Sequence, residues 1–349
     1  MMRRFAVLGL VCFACTAHAQ SEKCEPSGGV AFVCGVTNPE DLVLVPETNW
    51  IVSSGMADGA GFYLVDSKTG SASVLPFAAD PDPAFAGCTT PPTPASLNTH
   101  GLNLRAAGPG RAKLYVVGHG AREAIEVFDV DATGARPTLT WRGCVPMPDG
   151  LAANSVASFP DGSLVATVLF MPGKTFLDSV MRRPTGAVFE WLPGDAGFTL
   201  VEGTELPANN GIETSADGRE FYVASSGLQT IVAFSHTNPA RQLRTTRPLP
   251  FTPDNVHMGA DGRLLTAGMA NDVPECGGAP GPDHDIPKLA ACPRPTIAVA
   301  IDPATMRDTV IATTPADEAF SNATMVLVAE GQAWIGTFSG DKIARAPLR

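Results

Sequence analysis

Four stretches of the chain set an oxygen-bearing side chain six residues ahead of the same kind of turn. Glu40 precedes Pro46, Asn154 precedes Pro160, and Asn210 precedes Ala216. Asp254, with Asn255 beside it, precedes Ala260. After each turn comes a short strand-like run: Trp50-Ile51-Val52-Ser53, Leu164-Val165-Ala166-Thr167, Phe221-Tyr222-Val223-Ala224 and Leu264-Leu265-Thr266-Ala267. A short strand–turn–strand unit cannot bury its apolar face alone, so repeated units stack on one another. Two more copies complete the set: Gly108-Pro109-Gly110 before Lys113-Leu114-Tyr115-Val116-Val117, and Glu330-Gly331 before Ala333-Trp334-Ile335-Gly336. The anchors at 46, 109, 160, 216, 260 and 330 are 63, 51, 56, 44 and 70 residues apart, near a propeller blade period with insertions. Further strand candidates lie between them, at Gly61 to Asp66, Ile125 to Val130, Ala187 to Trp191, Thr230 to Ser235 and Thr296 to Ile301. The expectation is an all-β, six-bladed β-propeller with about four strands per blade, one closed domain over residues 20–349.

Composition agrees with many short strands. Only 17% of residues are charged, 35 are Gly and 31 Pro, and no long segment sustains an apolar period near 3.6. Three irregular stretches, 78–99, 170–184 and 271–295, are long enough to be binding walls as well as surface decoration.

The first 19 residues read as a signal peptide. Arg3 and Arg4 supply the positive region, Phe5 to Thr16 is apolar, and Ala17-His18-Ala19 is an A-x-A cleavage site. The apolar run is shorter than the ~20 residues a membrane span needs, and no later stretch suffices. A secreted or periplasmic protein is expected. Cleavage would leave 22 Lys and Arg against 35 Asp and Glu, a charge that argues against nucleic acid or anionic membranes as partners. It would also leave six cysteines, an even number that in an exported chain reads as disulfides. Cys276 and Cys292 bracket a Gly/Pro-rich excursion and form the favoured pair. Cys88–Cys144 and Cys24–Cys34 follow by elimination.

Pointed at a common axis, Glu40, Asn154, Asn210, Asp254 and Asn255 would form an all-oxygen cage for a hard divalent cation, most simply Ca²⁺. A single Asn near a turn is usually a turn residue. Recurrence at one offset in several blades is what a bare turn role does not require. His100 in THGLNL and His119 in VVGHG sit on adjacent strand candidates. Imidazole is the side chain best suited to take a proton near neutral pH, and two together could act as a base and its orienting partner. His236, His257 and His284 are less organised, although His257 alternates near the Asp254/Asn255 pair. No nucleophile elbow, zinc-protease motif, P-loop or dinucleotide fingerprint is present.

In these segments the chain resembles the paraoxonase/arylesterase family, within the wider group of SMP-30 and gluconolactonase-like six-bladed propellers. NPEDLVLVPETNWIVSSGM resembles the family's N-terminal calcium segment, THGLNL its H-G-I segment and LYVVGH its L-L-V-V-N-H segment. LAANSVASFPDG, PANNGIETSADG and TPDNVHMGADG resemble its three later calcium segments. The resemblance runs from about residue 35 to the C-terminus. It implies a catalytic calcium held by Glu40, Asn154, Asn210, Asp254 and Asn255, a second, structural calcium at Asp41, and a histidine dyad of His100 and His119. Ser155 stands where the family commonly has Asp, which takes a carboxylate from the second site and leaves that ion open. PTGAVFEW at 184–191 looks more like the SMP-30 group.

The activity implied is calcium-dependent hydrolysis of a small-molecule lactone or aryl ester. Calcium would polarise the carbonyl, and the histidine pair or a nearby carboxylate would assist attack by water. A sugar lactonase of the gluconolactonase type would use the same cage. A non-catalytic binding propeller stiffened by calcium is the alternative from another class, and it has no need of the histidine pair.

Overall fold

Residues 24–281, 288 and 291–349 are described by the computed structural model. The expected signal peptide, residues 1–19, and His284 lie outside them. Six antiparallel sheets follow one another along the chain and around a central axis. In blade one, Leu42–Leu44 is innermost, followed outward by Trp50–Ser54, Phe62–Asp66 and Ser71–Val74. Blade two runs Leu97–Ala106, Arg111–Gly120, Ala124–Asp131 and Thr138–Pro146. Blade three runs Val156–Ser158, Leu164–Val168, Gly186–Trp191 and Thr199–Leu206. Blade four runs Asn209–Thr214, Glu220–Ser225, Thr230–Ser235 and Gln242–Thr245. Blade five runs Val256–Met258, Leu264–Met269, Thr296–Ile301 and Asp308–Thr314. Blade six runs Ala323–Ala329, Gln332–Thr337 and Lys342–Pro347, and takes its outer strand, Ala31–Cys34, from the start of the chain.

That borrowed strand closes the ring. Ala31 pairs with Arg345 and Cys34 with Lys342, so both ends of the propeller are tied into one antiparallel sheet. A Cys24–Cys34 disulfide anchors the strand. The other two pairs are Cys88–Cys144 and Cys276–Cys292, so all three expected pairings are present. Cys88–Cys144 staples the 78–99 excursion to blade two, where Phe77–Ala79 adds a fifth, parallel strand against Thr138–Pro146. Among the described residues no helix is long and apolar enough to cross a membrane.

Burial explains which runs become which strands. Middle strands are covered on both faces by neighbouring blades, and Leu164–Val168 is buried throughout. Outer strands such as Ser71–Val74 and Gln242–Thr245 alternate or lie open. Large residues fill the seams: Phe62, Phe128 and Trp141 between blades one and two, and Phe159, Phe221 and Phe234 between three and four. Each such side chain contributes roughly 1.5–3 kcal/mol. The repeated acid of the PDG and ADG turns is structural. Asp161, Asp217 and Asp261 each accept a hydrogen bond from the backbone N–H two residues on, of Ser163, Arg219 and Arg263. The six-residue offset therefore has a simple meaning. The turn ends the inner strand at one mouth of the channel, and the polar residue starts it at the other.

Candidate active site

The polar residues that open the inner strands are pressed together by glycines. A Cβ on Gly211 would lie 2.5–2.6 Å from the backbone of Asp254, Asn255 and Val256, so Asn210 can approach the next blade only because its neighbour has no side chain. Gly101, beside His100, is likewise 2.8 Å from backbone atoms of Asn154 and Ser155 at its ideal Cβ. One hydrogen bond also links two blades, and another lies within blade four. Asn255 Nδ2 donates to Glu40 Oε1 at 2.6 Å, linking blades five and one. Asn210 Nδ2 donates to Ser226 Oγ at 3.1 Å.

These bonds use the amide nitrogens and leave oxygens over. Glu40 Oε2, Asn154 Oδ1, Asn210 Oδ1 and Asn255 Oδ1 are buried and have no hydrogen-bond donor. Leaving a buried acceptor unmade costs roughly 1–3 kcal/mol, so four at the starts of the inner strands of blades one, three, four and five need an explanation. The charges add to it. Glu40 is 1% exposed; burial, then the charges of Asp41 and Asp254, raise its pKa well above the carboxylate range, against the bond from Asn255. Asp254 is raised to about 7 by burial and by Asp41, with Asn210 opposing. Acceptors without donors and carboxylates that repel one another are what a hard cation would relieve. The residues present thus fit an oxygen-liganded ion. The donors are carboxylate and amide oxygens, and among the described residues no group of three or more His, Cys, Asp or Glu could hold a metal by themselves.

The two histidines of blade two lie beside this cluster. His100 Nδ1 is 3.1 Å from His119 Nε2, and His100 Nε2 is 3.7 Å from Glu40 Oε1. Burial, then His119, lower the pKa of His100 to about 3, so its imidazole is neutral. Behind His119, Glu123 Oε2 is 2.7 Å from Nδ1. Next to the pair is a cavity of about 210 Å³ walled by Thr90, Pro91, Pro92, His119 and Arg122. Arg122 secures that wall: it donates to Thr90 O at 2.8 Å and to both oxygens of buried Glu126, at 2.7 and 2.9 Å.

Asp41, unlike the orphaned oxygens, has partners on both of its oxygens. Its Oδ1 accepts from Leu42 N–H at 2.9 Å and lies 2.7 Å from His257 Nε2, and its Oδ2 accepts from Leu102 N–H at 2.8 Å. His257 Nδ1 is 3.8 Å from Glu213 Oε2. Burial opposes the charge of His257, but Asp41 and then Glu213 outweigh it and raise its pKa to about 10. An imidazolium thus lies beside the Asp41 and Glu213 carboxylates where the resemblance implied a second cation. His236 belongs to the scaffold. It stacks on Phe159 at 3.6 Å between ring centres and bonds Glu190 at 2.6 Å.

Glu123 and Glu213 were not among the sequence candidates. The signal for Glu123 is an acid four residues after a strand-end histidine, which acquires meaning only once the hairpin that returns it is known. Glu213 has the ordinary look of a strand residue. It is marked only by its bonds to Thr214 N–H and Met258 N–H at 2.8 and 3.0 Å.

No family model matches the chain, and no curated protein matches it in sequence. Solved structures do match in shape. A luciferin-regenerating enzyme is 12% identical, with 92% of this chain and 97% of that one covered and a TM-score of 0.53. A structural-genomics target described as a candidate gluconolactonase is 15% identical, with 95% and 97% covered and a TM-score of 0.54. A calcium-binding protein, regucalcin, from Agrobacterium tumefaciens str. C58 is 10% identical, with 90% of each chain covered and a TM-score of 0.52. The structural neighbours are gluconolactonase- and regucalcin-like six-bladed propellers. At these identities the likeness concerns the fold.

Proposed function

We propose that the chain is a calcium-dependent hydrolase of small lactones and aryl esters, exported to an oxidising compartment. The reading is carried by one observation: four buried, donor-less oxygens on the inner strands accompany a histidine pair whose His100 lies 3.7 Å from Glu40. The structural neighbours add support, since one is described as a calcium-binding protein and another as a candidate gluconolactonase. The three disulfides fit export.

Glu40, Asn154, Asn210, Asp254 and Asn255 would hold the ion. Calcium, when bound, supplies positive charge that polarises the substrate carbonyl. Glu40, whose Oε1 lies 3.7 Å from His100 Nε2, would place a carboxylate where it favours the protonated imidazole formed during turnover. His100 takes a proton from the attacking water as its oxygen bonds to the carbonyl carbon. It returns that proton to the alcohol oxygen as the acyl–oxygen bond breaks. His119 holds the His100 ring in place. The cavity walled by Thr90, Pro91, Pro92 and Arg122 would receive part of the substrate.

The test is hydrolysis of phenyl acetate and a simple γ-lactone by the mature protein, with and without chelator, alongside calorimetric calcium titration. Hydrolysis that is lost on chelation and restored by calcium is the expected result. Full activity in chelator refutes the mechanism. Tight calcium binding without hydrolysis of either substrate, or of an aldonolactone, would make the chain a binding propeller.

A further inference from the structure

We infer that Glu123 is a positioning residue that selects the tautomer of both histidines and so decides which nitrogen of His100 faces the cage without a proton. The inference rests on the hydrolase reading for its consequence in rate, but not for the hydrogen-bond pattern.

The argument needs only donors and acceptors. An ionised carboxylate is acceptor-only. Glu123 Oε2 lies 2.7 Å from His119 Nδ1, so that nitrogen must carry the proton. With a single N–H on each ring, His119 Nε2 is left as an acceptor. His100 Nδ1, 3.1 Å away, must then be the donor. The proton of His100 is thereby spent on its partner, and His100 Nε2 is left with a free lone pair. It points toward the cage, 3.7 Å from Glu40 Oε1.

The opposite arrangement fails at both ends. With His119 protonated on Nε2, its bare Nδ1 would face the Glu123 carboxylate at 2.7 Å, two acceptors in repulsion. His100 would then carry its proton on Nε2, and 3.7 Å to Glu40 Oε1 is too long to repay it with a hydrogen bond. One carboxylate thus orders two rings in series. An acid that orients a histidine, which in turn serves a reacting atom, is a general device of such sites. Glu123 is itself well placed to be constant. Its carbonyl accepts from Met147 N–H at 3.0 Å, which ties the hairpin tip to the outer strand of blade two. Its Oε1 has no partner among the described residues, so a substituted amide can rotate to offer oxygen to His119.

The experiment uses the mature, calcium-loaded protein labelled with ¹⁵N at histidine. Two-bond ¹H–¹⁵N spectra at neutral pH should give Nδ1–H for both His119 and His100. In Glu123→Ala, His119 should revert to the Nε2–H form that free neutral histidine prefers, and His100 should switch with it. Turnover on the substrate found above should fall at least about tenfold, with KM and calcium affinity unchanged. Glu123→Gln, which can still accept from Nδ1–H, should retain the parent tautomers and most of the turnover. His119 found as Nε2–H in the parent overturns the inference, as does Glu123→Ala with parent-like turnover or with lost turnover but unchanged tautomers. The spectra need no substrate. Absence of any hydrolysis would sink the proposed function and leave the tautomer assignment standing, whereas a wrong tautomer would leave calcium-dependent hydrolysis untouched.

Discussion

Asp254→Asn should stabilise the calcium-free protein at alkaline pH and lose most of that advantage once calcium is bound. Without calcium, burial and Asp41 raise the Asp254 carboxyl from 3.8 to about 7. Its folded pKa therefore exceeds its unfolded one, and the folded state holds more protons between those values. Stability of the calcium-free protein must fall as pH rises through that window. At about 1.36 kcal/mol per pH unit, ionising Asp254 above pH 7 costs up to about 4 kcal/mol. An unfolding entropy of about 2.1 cal/mol/K per residue makes each kcal/mol worth ~1.5 °C in a chain of this length. In chelator at pH 8, the near-isosteric Asn variant should melt up to about 6 °C above the parent. With calcium at about 100 times its Kd, the parent should gain about 2.7 kcal/mol, or ~4 °C. The variant, missing a carboxylate ligand, should gain far less. Differential scanning fluorimetry at pH 5 and pH 8, in chelator and in calcium, reads all four states. A variant that melts below the parent in chelator at pH 8 would mean that Asp254 makes a favourable protein contact there. An equal calcium response in both proteins would remove Asp254 from the cage.

Three further outcomes follow from the same geometry. His100→Gln should lower turnover roughly 10²–10⁴-fold while calcium titration stays parent-like, since the orphaned oxygens belong to other residues; steady-state kinetics and calorimetry together check this. His257 has a folded pKa raised from 6.5 to about 10 by Asp41 and Glu213 against burial, so its stabilising contribution is complete below 6.5 and is lost as pH rises through 10. Urea midpoints of the calcium-loaded parent should fall across that range, and His257→Gln should flatten the fall. Cys34→Ser opens the short Cys24–Cys34 loop that anchors the closing strand, which should cost about 2–3 kcal/mol by loop-closure entropy, measured as a lower urea midpoint at constant m-value.

The repeat was legible because blade geometry acts locally. The turn acid bonds two residues on, as Asp161 does to Ser163, and the strand after it alternates or is wholly apolar according to its depth. Thr230–Ser235 and Thr296–Ile301 begin and end where the pattern of apolar residues does. The buried polar residues that open the inner strands were legible for the same reason. Inner strands start at one mouth, so a polar residue at a fixed offset in several blades points to a shared place. The cysteine pairs were found by loop context and elimination, and their Cα atoms stand 5.3–5.9 Å apart, within disulfide reach.

What the linear pattern alone determined is therefore the architecture and the positions at which polar residues recur at the starts of inner strands, since both are periodic and periodicity is local. What tertiary structure decided is which partner satisfies which group. Asp41 and His257 are far apart in sequence and meet because ring closure brings blades one and five to either side of blade six at the common axis. Glu123 acquires its role only when the hairpin of blade two returns it to His119. Closure of the ring, with Ala31–Cys34 beside Lys342–Pro347, pairs the two ends of the chain. Such pairings depend on the closed ring and on hydrogen bonds completed across it, and no local period in the sequence encodes them.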